Sequence, residues 1–121
     1  MAKRVLIVDD ALFMRNLLRD IFATAGWQVV AEAENGQRAI EEFNTHQPDL
    51  VTMDIVMPEM GGLDAMREIL SSHAEAKVVM CSALGQERMV LEAIRAGAKD
   101  FIVKPFRDSQ VLEVVERVCG A

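Results

Sequence analysis

The chain has 121 residues, enough for one domain with a buried core but too few for two. Its net charge of −6 argues against nucleic acid as a direct partner, because binding to phosphates requires a clustered basic patch. The apolar run after Arg4 is too short for a signal peptide, and no stretch approaches the length of a membrane span. We therefore expect residues 1–121 to form a single domain in the cytoplasm, with no membrane contact and with Cys81 and Cys119 as reduced thiols.

Short apolar runs alternate with longer amphipathic stretches along the chain, which is the pattern of successive βα units. Four of these runs are almost continuously apolar, as is typical of parallel strands covered by helices on both faces. They lie at residues 5–8, 50–53, 78–81 and 101–103. A more polar segment at residues 28–32 is predicted to be an edge strand.

Amphipathic segments between the strands predict helices. One contains apolar residues at helical spacing up to Ala25 and is expected to end at Gly26; another precedes Gly97, and a third follows Gln110. In the last two, the apolar side chains, including Met89 and Ile94, are predicted to belong to the core. Five strands alternating with five helices indicate a doubly wound α/β domain, for which we expect the flavodoxin-like strand order 2-1-3-4-5.

Polar residues follow four of the five predicted strands directly. Strand 1 is followed by Asp9 and Asp10, strand 3 by Asp54, strand 4 by Ser82 and strand 5 by Lys104. Strands 1 and 3 are neighbours in the expected order, so the three carboxylates should converge at the carboxyl edge of the sheet, where such folds place their sites. Each residue alone is an ordinary turn, cap or surface residue. Their common register at the strand ends is what indicates a site.

Three converging carboxylates repel one another, and a hard cation such as Mg²⁺ removes that cost while leaving positions for phosphate oxygens. Such a site can carry out phosphoryl transfer, with Asp54 attacking phosphorus. Lys104 would neutralise charge on the phosphoryl oxygens, and Ser82 would donate a hydrogen bond to one of them.

At these residues the sequence resembles the receiver domain of two-component response regulators, and most closely the stand-alone regulators of bacterial chemotaxis. The resemblance covers the whole chain. Its motifs are residues 5–10, residues 53–58 followed by Gly62, Ser82 with Ala83, residues 97–101, residues 104–106 and, as a weaker hint of the chemotaxis type, residues 10–15.

The resemblance implies a metal site and a phosphoacceptor. Asp54 would accept the phosphoryl group, and Asp10 and Asp54 would bind Mg²⁺ directly. Asp9 would act largely through water, and the backbone carbonyl of Val56 would complete the protein ligands.

The resemblance also implies a switch. Lys104 would contact the phosphoryl group, Ser82 would move to bond it, and Phe101 would turn into the space that this movement vacates. Relatives usually carry Tyr at the position of Phe101, and often carry polar side chains at the positions of Val56 and Leu84, so the phosphoryl lifetime does not transfer from them. The output surface is expected on helix 4, strand 5 and helix 5, lined by Arg88, Glu92, Arg95, Lys99, Phe101 and Arg107.

The resemblance implies that the phosphodonor is the phosphohistidine of a sensor kinase. His46 and His73 of this chain are expected to lie on the surface, away from the site. We expect the chain to be a monomer whose target is a separate protein, such as the flagellar switch or a phosphatase. The chain would be a signalling phosphoacceptor rather than an enzyme, assisting its own phosphorylation and slow autodephosphorylation. Alternatives are a phosphorelay intermediate, another single-domain regulator or an interaction module that needs no phosphorylation.

Two further classes fit the sequence less well. A phosphatase with an aspartate nucleophile generally needs a second acid two residues later, where this chain has Ala11 and Val56. A flavodoxin-like cofactor site would need a loop rich in Gly, Ser or Thr after strand 1. Here that position holds Asp9 and Asp10 instead.

Overall fold

A computed structural model describes residues 3–120 as a five-stranded parallel sheet. The order of the strands is β2-β1-β3-β4-β5, as predicted. The strands are β1 Arg4–Val8, β2 Gln28–Ala33, β3 Leu50–Asp54, β4 Val78–Ser82 and β5 Asp100–Val103. Each strand contains its predicted segment, and β3 and β4 each run one residue further, so Asp54 and Ser82 are the last residues of their strands.

Five helices connect and cover the strands in two layers. They are α1 Leu12–Thr24, α2 Gly36–His46, α3 Gly62–Ser72, α4 Glu87–Ala96 and α5 Asp108–Cys119. One apolar cluster joins α1 and α5 to one face of the sheet, and a second cluster joins α2, α3 and α4 to the other. Within residues 3–120, none of the helices combines the length and apolar character needed to span a bilayer.

Three central strands are covered on both faces, as their continuous apolarity predicted. The five residues of β3 and of β4 are all buried, and in β1 only Arg4 is partly exposed. The expectation was wrong for β5, where Phe101 and Val103 are 40% and 37% exposed. This strand lies at the edge of the sheet, and helix α4 leaves one of its faces only partly covered.

Helix α4 also departs from the predicted burial. Val90 and Ala93 are buried, but Met89 and Ile94 are exposed and so do not belong to the core. The apolar stripe of this helix is wider than the surface that it packs against. The result is a partly open apolar face beside β5.

The register of the central strands brings their carboxyl ends to one level. Val8 of β1 pairs with Met53 of β3, so Asp9 and Asp54 follow at adjacent positions. On the other side of β3, Asp54 pairs with Cys81, the residue before Ser82. The strand order therefore reverses between β1 and β3 at the point where the carboxylates emerge.

Candidate functional site

Three carboxylates meet at the ends of β1 and β3. Asp9, Asp10 and Asp54 each offer an oxygen, and these oxygens lie within 4.8 Å of one another. Asp9 and Asp54 are buried, at 1% and 7% exposure, whereas Asp10 is exposed. Clustered carboxylate oxygens are the donor set that hard divalent cations prefer, so these residues fit a Mg²⁺ ion.

Hydrogen bonds hold both the backbone and the side chain of Asp9. Its N–H donates to the carbonyl of Ala33 on β2, at 3.0 Å. Its Oδ1 accepts a 2.9 Å bond from the backbone N–H of Ala11, which precedes helix α1 and offers no capping side chain of its own. The acid therefore helps to begin α1 as well as lining the site.

Lys104, which follows β5, contributes a positively charged side chain to the site. Its backbone N–H donates to the carbonyl of Ser82 at 2.7 Å, which continues the pairing of β4 with β5. Its Nζ donates to Asp9 Oδ2 at 2.7 Å and lies 3.4 Å from Asp54 Oδ2. Burial lowers the pKa of Lys104, but the hydrogen bond to Asp9 and the charges of Asp54 and Asp9 outweigh it, and the net shift is upward. The ammonium group thus remains charged between the two acids.

The carboxyl group of Asp54 is destabilised in its ionised form. Burial, followed by the charge of Asp9, raises the pKa of Asp54 from 3.8 to about 6, against the opposing effect of Lys104. One lysine does not compensate for three converging acids. A bound cation would supply the missing positive charge.

Ser82 lies between the carboxylates and the uncovered face of β5. It is 1% exposed and ends β4. It also lines a cavity of about 280 Å³ whose walls are mostly apolar side chains of α4 and β5, Phe101 among them. The predicted hydroxyl and the predicted aromatic switch residue therefore border one space.

The loop after β3 brings helix α3 against the phosphoacceptor. The N–H of Gly62 donates to the carbonyl of Ile55 at 2.8 Å. A Cβ at position 62 would collide with the carbonyl oxygen of Asp54, so the first residue of α3 must be glycine here. Val56 and Leu84, on the loops after β3 and β4, expose apolar side chains.

Other predicted residues lie where the sequence placed them. Cys81 is buried beside Asp54, and burial raises the pKa of its thiol to about 12, so it behaves as a small apolar residue. His46 is the last residue of α2, and His73 follows α3, both at the opposite end of the sheet, where His73 packs on Phe43 with ring centroids 4.8 Å apart. Neither histidine lies near the carboxylates.

Sequence reasoning missed two residues beside the site. Arg15 of α1 donates from Nη1 to the backbone carbonyl of Asp9 at 2.7 Å, and its Nε lies 3.2 Å from Glu32 Oε1 on β2. The spacing of Arg15 and Glu32 in the sequence does not predict their contact, because the contact depends on how α1 packs against β2.

This arrangement matches a known family. The sequence profile of the response regulator receiver domain matches residues 5–116. The chain belongs to that family.

Similar proteins within the family share most of their length with this chain. Chemotaxis protein CheY of Bacillus subtilis is 58% identical over 117 residues, which cover 97% of this chain and 98% of that protein. Chemotaxis protein CheY of Thermotoga maritima is 58% identical over 118 residues, covering 98% of each.

A solved structure agrees with the fold. A chain of the complex of CheX and CheY with BeF₃ and Mg²⁺ from Borrelia burgdorferi superposes with a TM-score of 0.92 at 39% identity. The match covers 96% of this chain and 88% of that chain.

Proposed function

We propose that this receiver domain is a phosphorylation switch of chemotaxis signalling in which Asp54 is the phosphoacceptor. The observation that carries the proposal is the cluster of Asp9, Asp10 and Asp54, of which Asp9 and Asp54 also contact the ammonium group of Lys104. The likeness to CheY proteins over nearly their whole length supports the assignment to chemotaxis. The chain is a signalling phosphoacceptor rather than a classical enzyme, and slow autodephosphorylation is part of the proposal.

The metal site would be formed by the carboxylates of Asp10 and Asp54 and the backbone carbonyl of Val56, with Asp9 acting through water. When bound, Mg²⁺ supplies positive charge that offsets the carboxylates and the oxygens of the transferred group. The raised pKa of Asp54 supports this assignment, because burial, and after it the charge of Asp9, disfavour the ionised carboxylate that a bound cation would stabilise.

The residues of the chain divide the chemistry among them. A carboxylate oxygen of Asp54 attacks phosphorus, the P–O bond forms, and the P–N bond to the donor's histidine breaks. The electron pair returns to the imidazole ring, which takes a proton from solvent. Lys104 lies within reach of Asp54 and neutralises charge on the phosphoryl oxygens, and Ser82 donates a hydrogen bond to one of them.

The signal would leave the site through Ser82 and Phe101. A phosphoryl group adds nearly two negative charges and three acceptors, which draw the Ser82 hydroxyl towards it. Phe101 is 40% exposed and lines the cavity that Ser82 also borders, so it can turn inward when the loop after β4 moves. The output surface on α4, β5 and α5 would then change shape as a two-state packing event.

The remaining assignments follow from this role. The donor would be a histidine sensor kinase, and the target a separate protein such as the flagellar switch or a phosphatase. We infer a cytoplasmic monomer that acts as one receiver domain over residues 1–121 and binds no nucleic acid, in keeping with its net charge of −6.

Phosphotransfer from a radiolabelled chemotaxis sensor kinase tests the proposal. Label should pass to the wild-type chain only with Mg²⁺, should not reach Asp54→Asn, and should be mostly lost in Asp10→Asn. Asp20→Asn is the matched control, because Asp20 is an exposed aspartate on α1 and does not belong to the carboxylate cluster. Label on Asp54→Asn would overturn the assignment of the phosphoacceptor. No transfer to the wild type would favour an interaction module that needs no phosphorylation.

A further inference from the structure

We infer that Arg15 is a positioning residue for the acid pair, holding the peptide between Asp9 and Asp10 so that both carboxylates face the metal site. The inference rests on the proposed function of that site. Arg15 Nη1 donates to the Asp9 carbonyl at 2.7 Å, while its Nε lies 3.2 Å from Glu32 Oε1. The side chains of Arg15 and Glu32 are only 14% and 17% exposed, so this contact is shielded from solvent.

The carbonyl that Arg15 binds lies just past the end of a strand. Strand β1 ends at Val8, and the N–H of Asp9 still donates to Ala33 of β2. Arg15 reaches the other end of the same residue from helix α1. The Asp9 backbone is therefore anchored to β2 through its N–H and to α1 through its carbonyl.

Anchoring this carbonyl matters most for Asp10. The Asp9 carbonyl belongs to the peptide plane that joins Asp9 to Asp10, and its direction sets where the Asp10 side chain emerges. Among residues 3–120, no side-chain hydrogen bond or ion pair fixes Asp10, which is exposed. Its placement beside Asp54 therefore depends on its backbone. Without Arg15, ordering that peptide would cost conformational entropy when the metal binds.

Glu32 has the supporting role of orienting the arginine. Its two carboxylate oxygens contact Arg15 and Arg19, which lie one helical turn apart on α1. Arg19 is 52% exposed and contacts Glu32, and in the part of the chain that the structure describes it makes no hydrogen bond to Asp9. Arg19 therefore provides a matched control, since it is the same residue type on the same helix, paired with the same acid.

Electrostatics and positioning predict opposite effects on metal affinity. Removing a cation near a site for a dication should tighten Mg²⁺ binding by reducing repulsion. Losing the anchor of the Asp9 carbonyl should weaken binding. A weaker affinity in a variant without Arg15 would thus report positioning rather than charge.

The test is Mg²⁺ affinity by isothermal titration calorimetry, with thermal unfolding of each variant measured alongside. We expect Arg15→Met to weaken Mg²⁺ binding by about tenfold, in the range for residues that orient metal ligands. Arg19→Met should match the wild type or bind slightly more tightly. Arg15→Lys keeps the charge but cannot bridge the Asp9 carbonyl and Glu32 with one planar fork, so it should fall between the two.

Several results would overturn the inference. They are wild-type affinity in Arg15→Met, or equal losses in Arg15→Met and Arg19→Met. If Arg15→Met fails to fold, Arg15→Lys and Glu32→Gln replace it, and wild-type Mg²⁺ affinity in both would have the same meaning. A wild-type chain that binds no Mg²⁺ would contradict the proposed metal site itself and the inference with it.

Discussion

Lys104 is hydrogen-bonded to Asp9, at 2.7 Å from Nζ to Oδ2, across the carboxyl edge of the sheet. Its ammonium group lies further from Asp54 Oδ2, at 3.4 Å. The bond ties the loop after β5 to the end of β1, and so links the carboxylate cluster to the strand that carries Phe101. Phosphorylation of Asp54 would place new acceptors beside this ammonium group and compete with Asp9 for it.

Lys104→Ala is therefore expected to separate phosphorylation from signalling. The variant should still gain a phosphoryl group from acetyl phosphate, because Asp54 and the acid pair remain. Its affinity for a target such as the flagellar switch should change little on phosphorylation, because the variant lacks the ammonium group that would move towards the new negative charge. The control is Lys77→Ala, which removes a half-buried lysine directly before β4, outside the expected output surface. A Lys104→Ala protein that discriminates its target as the wild type does would contradict this mechanism.

The raised pKa of Asp54 predicts a pH-dependent stability of the metal-free protein. Its folded pKa of about 6 exceeds the ordinary 3.8, so its contribution to stability is present below 3.8 and is lost as the pH rises through 6. In a chelator at pH 8, Asp54→Asn should raise the free energy of unfolding by about 3 kcal/mol. The gain should shrink by about 1.4 kcal/mol at pH 5, where the folded wild-type carboxyl is protonated.

Denaturant unfolding of both proteins at the two pH values measures this difference. Asp20→Asn, at an exposed position, should show a small effect that does not change with pH. A gain in Asp54→Asn that is equal at pH 8 and pH 5 would show that the buried carboxyl has an ordinary pKa.

The exposed apolar side chain of Val56 predicts a phosphoryl group that is slow to hydrolyse. Val56 is 49% exposed two residues beyond Asp54, and its apolar side chain offers no hydrogen bond to an attacking water. Val56→Asn should shorten the phosphoryl lifetime by about tenfold, equivalent to about 1.4 kcal/mol in the barrier. Mass spectra recorded after removal of acetyl phosphate measure the lifetime. Val56→Ala, which removes bulk without adding a polar group, should not produce this effect; equal lifetimes in Val56→Asn and wild type would refute the explanation.

Phe101 and the cavity beside Ser82 predict a loss of discrimination without a loss of phosphorylation. In Phe101→Ala the extent of labelling should be unchanged, because the ring does not belong to the carboxylate cluster. The ratio of target affinities between phosphorylated and unphosphorylated forms should fall by about fivefold, or about 1 kcal/mol of coupling. Phe13→Ala removes an exposed ring on α1 that does not line the cavity, and it serves as the control. Equal affinity ratios in Phe101→Ala and wild type would refute the role of Phe101.

The sequence was sufficient to predict the sheet and the meeting of the acids. Continuous apolar runs identified the central strands, and parallel strands must bring their carboxyl ends to the same edge. The sequence pattern therefore predicts that the carboxylates of Asp9, Asp10 and Asp54 converge. The same rule placed Ser82 and Lys104 at that edge.

The sequence was not sufficient where packing decides. A three-residue run such as residues 101–103 does not reveal that one face of an edge strand is left open, and the width of the apolar stripe on α4 does not show how much of it is covered. The bond of Arg15 to the Asp9 carbonyl involves a backbone atom, which leaves no signature in residue types. The preference of Lys104 for Asp9 over Asp54 depends on distances within the site.

In the proposed mechanism, Asp54 accepts a phosphoryl group in a reaction that depends on Mg²⁺. The most direct measurement is the intact mass of the chain after incubation with acetyl phosphate, with and without Mg²⁺, for wild type and Asp54→Ala. We expect the wild type to gain the mass of one phosphoryl group only when Mg²⁺ is present, and Asp54→Ala to gain none. No gain by the wild type under any condition, or an equal gain by Asp54→Ala, would contradict the account.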